Sequence, residues 1–522
     1  MKRIAFLVVA SLMVMGLVLP GCGGGGGGGG GDTRPAITIA IADAMTDITG
    51  ENAWNGATMA EEEINAGAGI NVGGVYHKVA LVKVDTNEVV GTPDQGVTAL
   101  QSVIDDADIV LGGFRTENLL VYREVAMDAK KLFMDCGAAT CSLTYSVETD
   151  YDTYKYFFRV TPYNDDFLVT SFMKMTSTAG TLLKNALLAE GDAVDPDYQV
   201  TADSKLRVAV LMENAAWCEG MVDAANAFLP GYGFSIVGTW LVSPTATDIS
   251  TELAQIEAKK PHIIFVAFSG PVGEVYSKQK GELGIPAMTI GTNVPGALKA
   301  HWTNSGGAAQ GELYLDTWAE GAATGPKAVD FFNKYVAEFN DYPGYTAITY
   351  DEIYALKAAI EAVSAANGYT KIADVVKPAN IDHLIQYLET TKWSDGVSTP
   401  AAYYPVAAID QGAGKYALSE EQVRALYPSL GTYVKAQWQA YYTTLANTPI
   451  DAVGHLAHDL VYGPGYATGI GAQWQNGHKV CVWPVDLGAD YDEALTDQHG
   501  NWNFQYPGTV AMVIPIDGFL AS

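Results

Sequence analysis

The sequence predicts an α/β protein built as two doubly wound, Rossmann-like lobes, and three observations predict it. Short β-branched apolar runs alternate with helical patterns from Ala36 to about Asp135. The same rhythm restarts after Phe158 and runs to about Ile290. The chain has 522 residues, more than one ordinary core supports, and suits two large lobes. Strands separated by helices form parallel βαβ units with right-handed crossovers and helices on both faces.

The first unit opens on Ala36–Ala42 (AITIAIA), a buried strand, with a helix over Asn55–Ala66. Strand Val79–Asp85, helix Gln95–Ile104, strand Ile109–Leu111, helix Leu119–Ala129 and strand Leu132–Asp135 follow. The second unit opens on helix Asp165–Met175, then a polar stretch, Gly191–Ser204, that reads as a surface insertion. Strands Arg207–Met212, Ser235–Val242, His262–Ala267 and Ala287–Ile290 alternate there with helices Gly220–Phe228, Ile249–Ala258 and Val272–Glu282. Beyond Thr292 come strand Glu312–Leu315 and helices Lys327–Phe339 and Ala347–Ala366. The tail shows helical patterns near Glu420–Leu426 and Val434–Leu445, then an aromatic, Gly-rich strand region from His458 to Trp483.

The N-terminus sets the expected compartment. Lys2 and Arg3 precede an uncharged apolar run, Ile4–Leu19, and Leu19-Pro20-Gly21-Cys22 reads as a lipobox, with Cys22 the lipidated residue. Gly23–Gly31 is an unbroken glycine run. Nine such residues span roughly 15–18 Å as a flexible coil, which fits a tether to a membrane. The charge balance, 59 Asp plus Glu against 30 Lys plus Arg, argues against nucleic acid as a partner, because phosphate binding needs basic patches. Besides Cys22 there are Cys136, Cys141, Cys218 and Cys481. Outside the cytoplasm Cys136 and Cys141 are the expected disulfide, and four buried thiols are the alternative.

Several motifs occur in a fixed order. Ala44-Met45-Thr46-Asp47-Ile48-Thr49-Gly50 leads to Trp54-Asn55-Gly56, then to Ala60-Glu61-Glu62-Glu63-Ile64-Asn65 and Ala68-Gly69-Ile70-Asn71. Leu111-Gly112-Gly113, Phe158-Arg159-Val160-Thr161-Pro162, Asp248-Ile249-Ser250, Leu283-Gly284-Ile285-Pro286 and Tyr350-Asp351 follow. In this order the set resembles the type 1 periplasmic solute-binding proteins of ABC transporters, the leucine/isoleucine/valine-binding family, from Ala36 to about Ala366.

That resemblance implies a three-crossover hinge and a cleft that closes on a solute. It divides the chain into a lipoprotein signal peptide (1–22), a Gly-rich tether (23–34), lobe 1 (35–159 plus 292–395) and lobe 2 (160–291 plus 396–522). The crossovers are expected near Phe158–Thr161, Gly291–Asn293 and Trp393–Pro400.

Ligands of open α/β sheets sit at the carboxyl ends of strands, where loops and helix N-termini offer free N–H groups. The expected binding residues lie there. Thr116, with Arg115 and Glu117 beside it, follows Ile109–Leu111. Ala138, Ala139 and Thr140 follow Leu132–Asp135 in a loop resembling the family's carboxylate-binding Gly-Ala-Thr, with one extra alanine that leaves either Ala139 or Thr140 in the threonine place. An arginine at Arg115 departs from the family: it either pairs with a carboxylate bidentately or points to solvent, and Glu117 is the alternative to Thr116 for the cleft-facing place. Trp54, Trp217, Phe268, Ser269, Asn293 and Trp318 complete the set. Asn293 stands near where amino-acid binders place an acid for the α-ammonium; Glu274 and Asp316 are the substitutes.

This lining suggests a carboxylate-bearing ligand with an apolar or aromatic body: a branched-chain or aromatic amino acid, or a related acid. The expected partners are that solute, ABC permease subunits and a membrane reached through lipid; no cofactor is expected. A lipid-anchored sensor and a secreted hydrolase are the rival readings. His455-x-x-His458-Asp459 lacks a third metal ligand at a recognisable spacing, and neither a Gly-x-Ser-x-Gly elbow nor a phosphate loop is present.

Overall fold

Strand β1 (Ala36–Asp43) is buried along nearly its whole length and organises the first sheet. The computed structural model describes residues 32–398 except 90 and 162, then 401, 403, 409–410, 415–416, 457–460, 469–485 and 505–521. Cys22, the glycine run, His455 and the helices expected at 420–426 and 434–445 lie outside these residues. The first sheet runs β2 (Ile70–Val72), β3 (Val75–Asp85), β1, β4 (Ile109–Gly112), β5 (Phe133–Asp135), β6 (Phe157–Arg159). Every pairing is parallel except the β2–β3 hairpin.

The second sheet holds β7 (Leu206–Glu213), β8 (Phe234–Val242), β9 (Ile263–Phe268), β10 (Met288–Asn293) and β11 (Leu313–Asp316) in the parallel order β11-β10-β9-β7-β8. Two short strands, β12 (Ile409–Asp410) and β13 (Lys415–Tyr416), pair separately. An antiparallel hairpin, β14 (Ile470–Gln475) and β15 (His478–Trp483), extends the second sheet beyond β11. The expected two-lobed α/β architecture is therefore what the chain adopts.

Each sheet reverses its strand order once. In the first, β1 lies between β3 and β4; in the second, β7 lies between β8 and β9. Crevices open at such points, outside the carboxyl ends of the strands. Two glycines shape those edges. Gly112 ends β4 at φ +120°, where a Cβ would sit 2.2 Å from the Ala42 carbonyl oxygen. Gly291 in β10 has φ +149°, with a Cβ position 1.9 Å from the Val266 oxygen. Only glycine fits either place without moving backbone.

Several boundaries differ from expectation for local reasons. The first helix spans Ile48–Ala66, because Asp47 caps it by accepting from the Thr49 amide at 3.3 Å. The helix expected over Asp165–Met175 continues to Glu190. The stretch 191–204 is held down by the C-terminus: Val194 bridges Leu520, and Phe519 packs against Tyr198.

Strand β11 was expected in lobe 1 but hydrogen-bonds to β10, so the second crossing falls after Asp316 rather than near Gly291–Asn293. Residues 457–460, expected in lobe 2, line β6 instead. The Arg159 amide donates to the His458 carbonyl at 3.0 Å, so residues 457–460 belong with lobe 1, and among the described residues the chain is next found in the second sheet at β14.

The Cys136–Cys141 disulfide does not form. Cys136 is fully buried, with its Sγ 3.6 Å from the Gly113 oxygen, and burial pushes its thiol pKa well up. Cys141 stands at the N-terminal cap of the helix Ser142–Thr149.

The helix Thr349–Asn367 fastens the 396–398 segment to lobe 1. Asp351, 1% exposed, accepts from the Val397 and Ser398 amides at 2.9 and 2.8 Å. Burial raises its pKa to about 7, against those two hydrogen bonds. A carboxyl raised in the folded state contributes stability below its unfolded pKa and loses that contribution as pH rises through the folded value. Urea midpoints between pH 4 and 8 are therefore expected to fall less steeply with rising pH in Asp351→Asn than in wild type. An identical slope in both proteins would remove Asp351 from this account.

Candidate functional site

The two reversal points face each other across a cleft of about 640 Å³, its open mouth included. Lobe 1 contributes Phe114, Arg115 and Thr116 after β4, Gly137 and Ala139 after β5, and Tyr345. Lobe 2 contributes Trp217 from the helix after β7, Ser269 after β9, Thr292 and Val294 at the end of β10, and Leu315 and Asp316 from β11. Tyr163 and Leu168, at the first crossover, close the back.

Glu213, the last residue of β7 and fully buried, organises the lobe 2 wall. One oxygen accepts from the Ser269 and Gly270 amides, each at 2.9 Å. The other accepts from the Trp217 indole at 2.7 Å and from the Ser269 hydroxyl. A single carboxylate thus fixes the loop after β9 and the ring of Trp217.

Arg115 of lobe 1 reaches across, with its Nη1 3.7 Å from Glu213 Oε1 and the two side chains 6% and 0% exposed. That separation is a charge contact, too long for a hydrogen bond. The Arg115 loop rests on Glu88, whose carboxyl accepts from the Arg115 amide at 2.8 Å. Burial and the nearby Asp43 raise the Glu88 pKa well above the usual carboxylate range.

Two donors are left over. Arg115 Nε and Thr116 Oγ1 are buried without a hydrogen-bond partner among the described residues. A buried donor in that state costs about 1–3 kcal/mol, more when charged, and an acceptor placed beside it recovers the loss. Around these donors the wall is largely aromatic and aliphatic: Phe114, Tyr345, Tyr163, Leu168, Trp217, Val294 and Leu315.

Across residues 40–413 the chain matches the family model described as periplasmic binding protein. The chain belongs to the periplasmic binding protein family. The family consists of solute-binding receptors, not enzymes, that act outside the cytoplasm. Among curated relatives it is 23% identical over 340 residues to a Leu/Ile/Val-binding protein homolog of Brucella melitensis, covering 65% of this chain and 82% of that one. It is 24% identical over 350 residues to an amino acid binding protein of Pseudomonas aeruginosa, covering 66% and 83%.

Three solved structures share the fold. A branched-chain amino acid ABC transporter protein from Silicibacter pomeroyi superimposes at TM-score 0.58 and 18% identity, over 88% of this chain and 97% of that one. A solute-binding protein of Rhodopseudomonas palustris in complex with 3,4-dihydroxybenzoic acid gives 0.53 at 19%, over 70% and 88%. A branched-chain amino acid binding protein of Streptococcus pneumoniae in complex with isoleucine gives 0.53 at 18%, over 72% and 93%.

In this periplasmic binding protein, Arg115, Thr116, Ala139, Trp217 and Ser269 of the expected residues line the cleft together, and Asp316 joins them. The others are engaged elsewhere. Glu117 is exposed, and Ala138 is buried with its amide donating to Asp135 at 2.9 Å. The Thr140 hydroxyl accepts from the Ser142 amide at 3.2 Å. Trp54 packs against the lobe 1 core beneath Lys83, whose Nζ is 4.4 Å from the ring centroid.

Phe268 is core, against Tyr276 at 5.3 Å. Asn293 donates to the Gly273 carbonyl at 3.0 Å, and the Trp318 indole to the Gly344 carbonyl at 2.9 Å. Glu274 accepts from Asn304 on the surface at 2.9 Å. His458 uses both ring nitrogens, on the Phe157 carbonyl at 2.7 Å and Glu389 at 2.8 Å, and Asp459 pairs with Arg159 at 3.0 Å.

Glu213 escaped the sequence reading, as did Tyr163 and Tyr345. Glu213 sits at a predicted strand end, a placement that marks it only once the strand bounds are known.

Replacing Glu213 with Ala strands the Arg115 charge and four donors, and is expected to cost about 3–5 kcal/mol in urea unfolding. A loss below about 1 kcal/mol would contradict its organising role.

Proposed function

We propose that this chain is the extracytoplasmic receptor of an ABC importer and that it binds a small carboxylate-bearing solute by closing its lobes on it. The two unpartnered donors, Arg115 Nε and Thr116 Oγ1, carry the reading. Their residues line the cleft at the strand-order reversal of lobe 1, and lobe 2 adds Trp217, Val294 and Leu315 beside its polar Ser269, Thr292 and Asp316. A carboxylate there completes the guanidinium's hydrogen bonding, with charge-assisted bonds roughly twice as strong as neutral ones. The aromatic and aliphatic side chains take up an apolar body of matching size.

The geometry supports closure. Ligand atoms that touch both walls favour the state in which the walls are near, and a transporter can read that state. Export with lipidation at Cys22 and a glycine tether would hold the receptor at the envelope beside its permease. The binding of branched-chain and aromatic solutes by proteins of this fold supports the choice of ligand class.

A thermal-shift screen of branched-chain and aromatic amino acids and their related acids will identify binders, since a ligand at 100 times its Kd adds about 2.7 kcal/mol. Against the best binder, Arg115→Met is expected to weaken binding by about 2–3 kcal/mol in isothermal titration, and Thr116→Val by about 1 kcal/mol. Unchanged affinity in both variants would refute the site.

A further inference from the structure

We infer that Lys479 is a specificity-setting positioning residue: by neutralising Asp316 it tunes the cleft to carboxylic acids that lack an α-ammonium. The inference rests on the reading of the cleft as a carboxylate site and narrows its ligand class. An α-amino acid brings two charges into a site, and its ammonium must find an acceptor or carboxylate once water is excluded. Asp316 is the one acid among the described residues that line the cleft.

Its carboxylate is already committed. Oδ1 accepts from the Thr317 amide at 2.7 Å and the Trp318 amide at 3.3 Å. Oδ2 holds the Lys479 ammonium at 2.7 Å, with the two side chains 4% and 2% exposed. An incoming ammonium would meet a carboxylate whose charge is balanced by a like cation directly behind it.

The second acid within reach is equally engaged. Glu213 carries four hydrogen bonds from its own lobe and faces Arg115. What the cleft leaves unmet are donors, Arg115 Nε and Thr116 Oγ1, and donors call for an anion. The supply and demand of charge therefore match a monocarboxylate with an apolar body. Lys479 comes from β15, in the hairpin that extends the second sheet past β11. The tail thus acts on ligand choice through Asp316 without touching the ligand.

The test compares two pairs that differ only in the amino group: 3-phenylpropanoate with L-phenylalanine, and 4-methylpentanoate with L-leucine. Isothermal titration of the full chain is expected to show at least one acid bound at least tenfold more tightly than its amino acid. In Lys479→Met the ratio is expected to move at least tenfold toward the amino acid, and Lys479→Arg to restore it. A purely structural role would weaken both members of a pair alike and leave the ratio fixed.

Amino acids bound as tightly as their acids, or an unchanged ratio in folded Lys479→Met, would overturn this inference and leave the carboxylate site standing. Binding of none of the four would overturn both. If Lys479→Met does not fold, the same ratio measured in Lys479→Gln decides the matter.

Discussion

Glu213 is a buried carboxylate whose oxygens are met by the Ser269 and Gly270 amides, the Ser269 hydroxyl and the Trp217 indole. The rest of the cleft depends on that arrangement. It stiffens the lobe 2 wall and leaves one negative charge facing the opposite lobe. Arg115 answers that charge at 3.7 Å without donating a hydrogen bond to it. The two lobes are thus drawn together electrostatically while the guanidinium keeps a donor unused. Had Glu213 satisfied Arg115 fully, the cleft would have no demand for an anion.

Backbone constraints place those groups. A doubly wound sheet must reverse its strand order somewhere, and here each sheet does so beside its first strand, β1 or β7. Arg115 follows β4, Glu213 ends β7 and Ser269 follows β9, so the key side chains come from the reversal points themselves. Gly112 and Gly291 let adjacent strands run close where the edge of each sheet meets the cleft. The later additions to the fold respect this plan. The hairpin of β14 and β15 lengthens the second sheet at its far edge, and residues 457–460 run beside β6 at the edge of the first.

Much of this was legible in the sequence, because parallel strands buried on both faces read as continuous apolar runs. Ala36–Ala42, Ile109–Leu111 and His262–Ala267 lie almost where the pattern puts them. Positions within the site were less legible. Arg115, Thr116 and Trp217 sit at strand ends as expected, whereas Thr140 and Asn293 turn their polar groups into local backbone bonds. A single residue of insertion in the Gly137–Thr140 loop decides which side chain faces the cleft, and spacing alone does not resolve that. Strand β11 was misassigned because sheet membership is a long-range pairing with no local signature. Cys136 and Cys141 are close in sequence, yet one lies in the core under Gly113 and the other begins a helix.

The central claim is that one solute engages both lobes at the Arg115 and Ser269 edges at once. Hydrogen–deuterium exchange with and without saturating ligand tests it most directly. Slowed exchange is predicted in both the 114–116 and the 268–270 backbone, segments more than 150 residues apart in the chain. Protection confined to one of them, or located away from both, would contradict a solute held between the lobes.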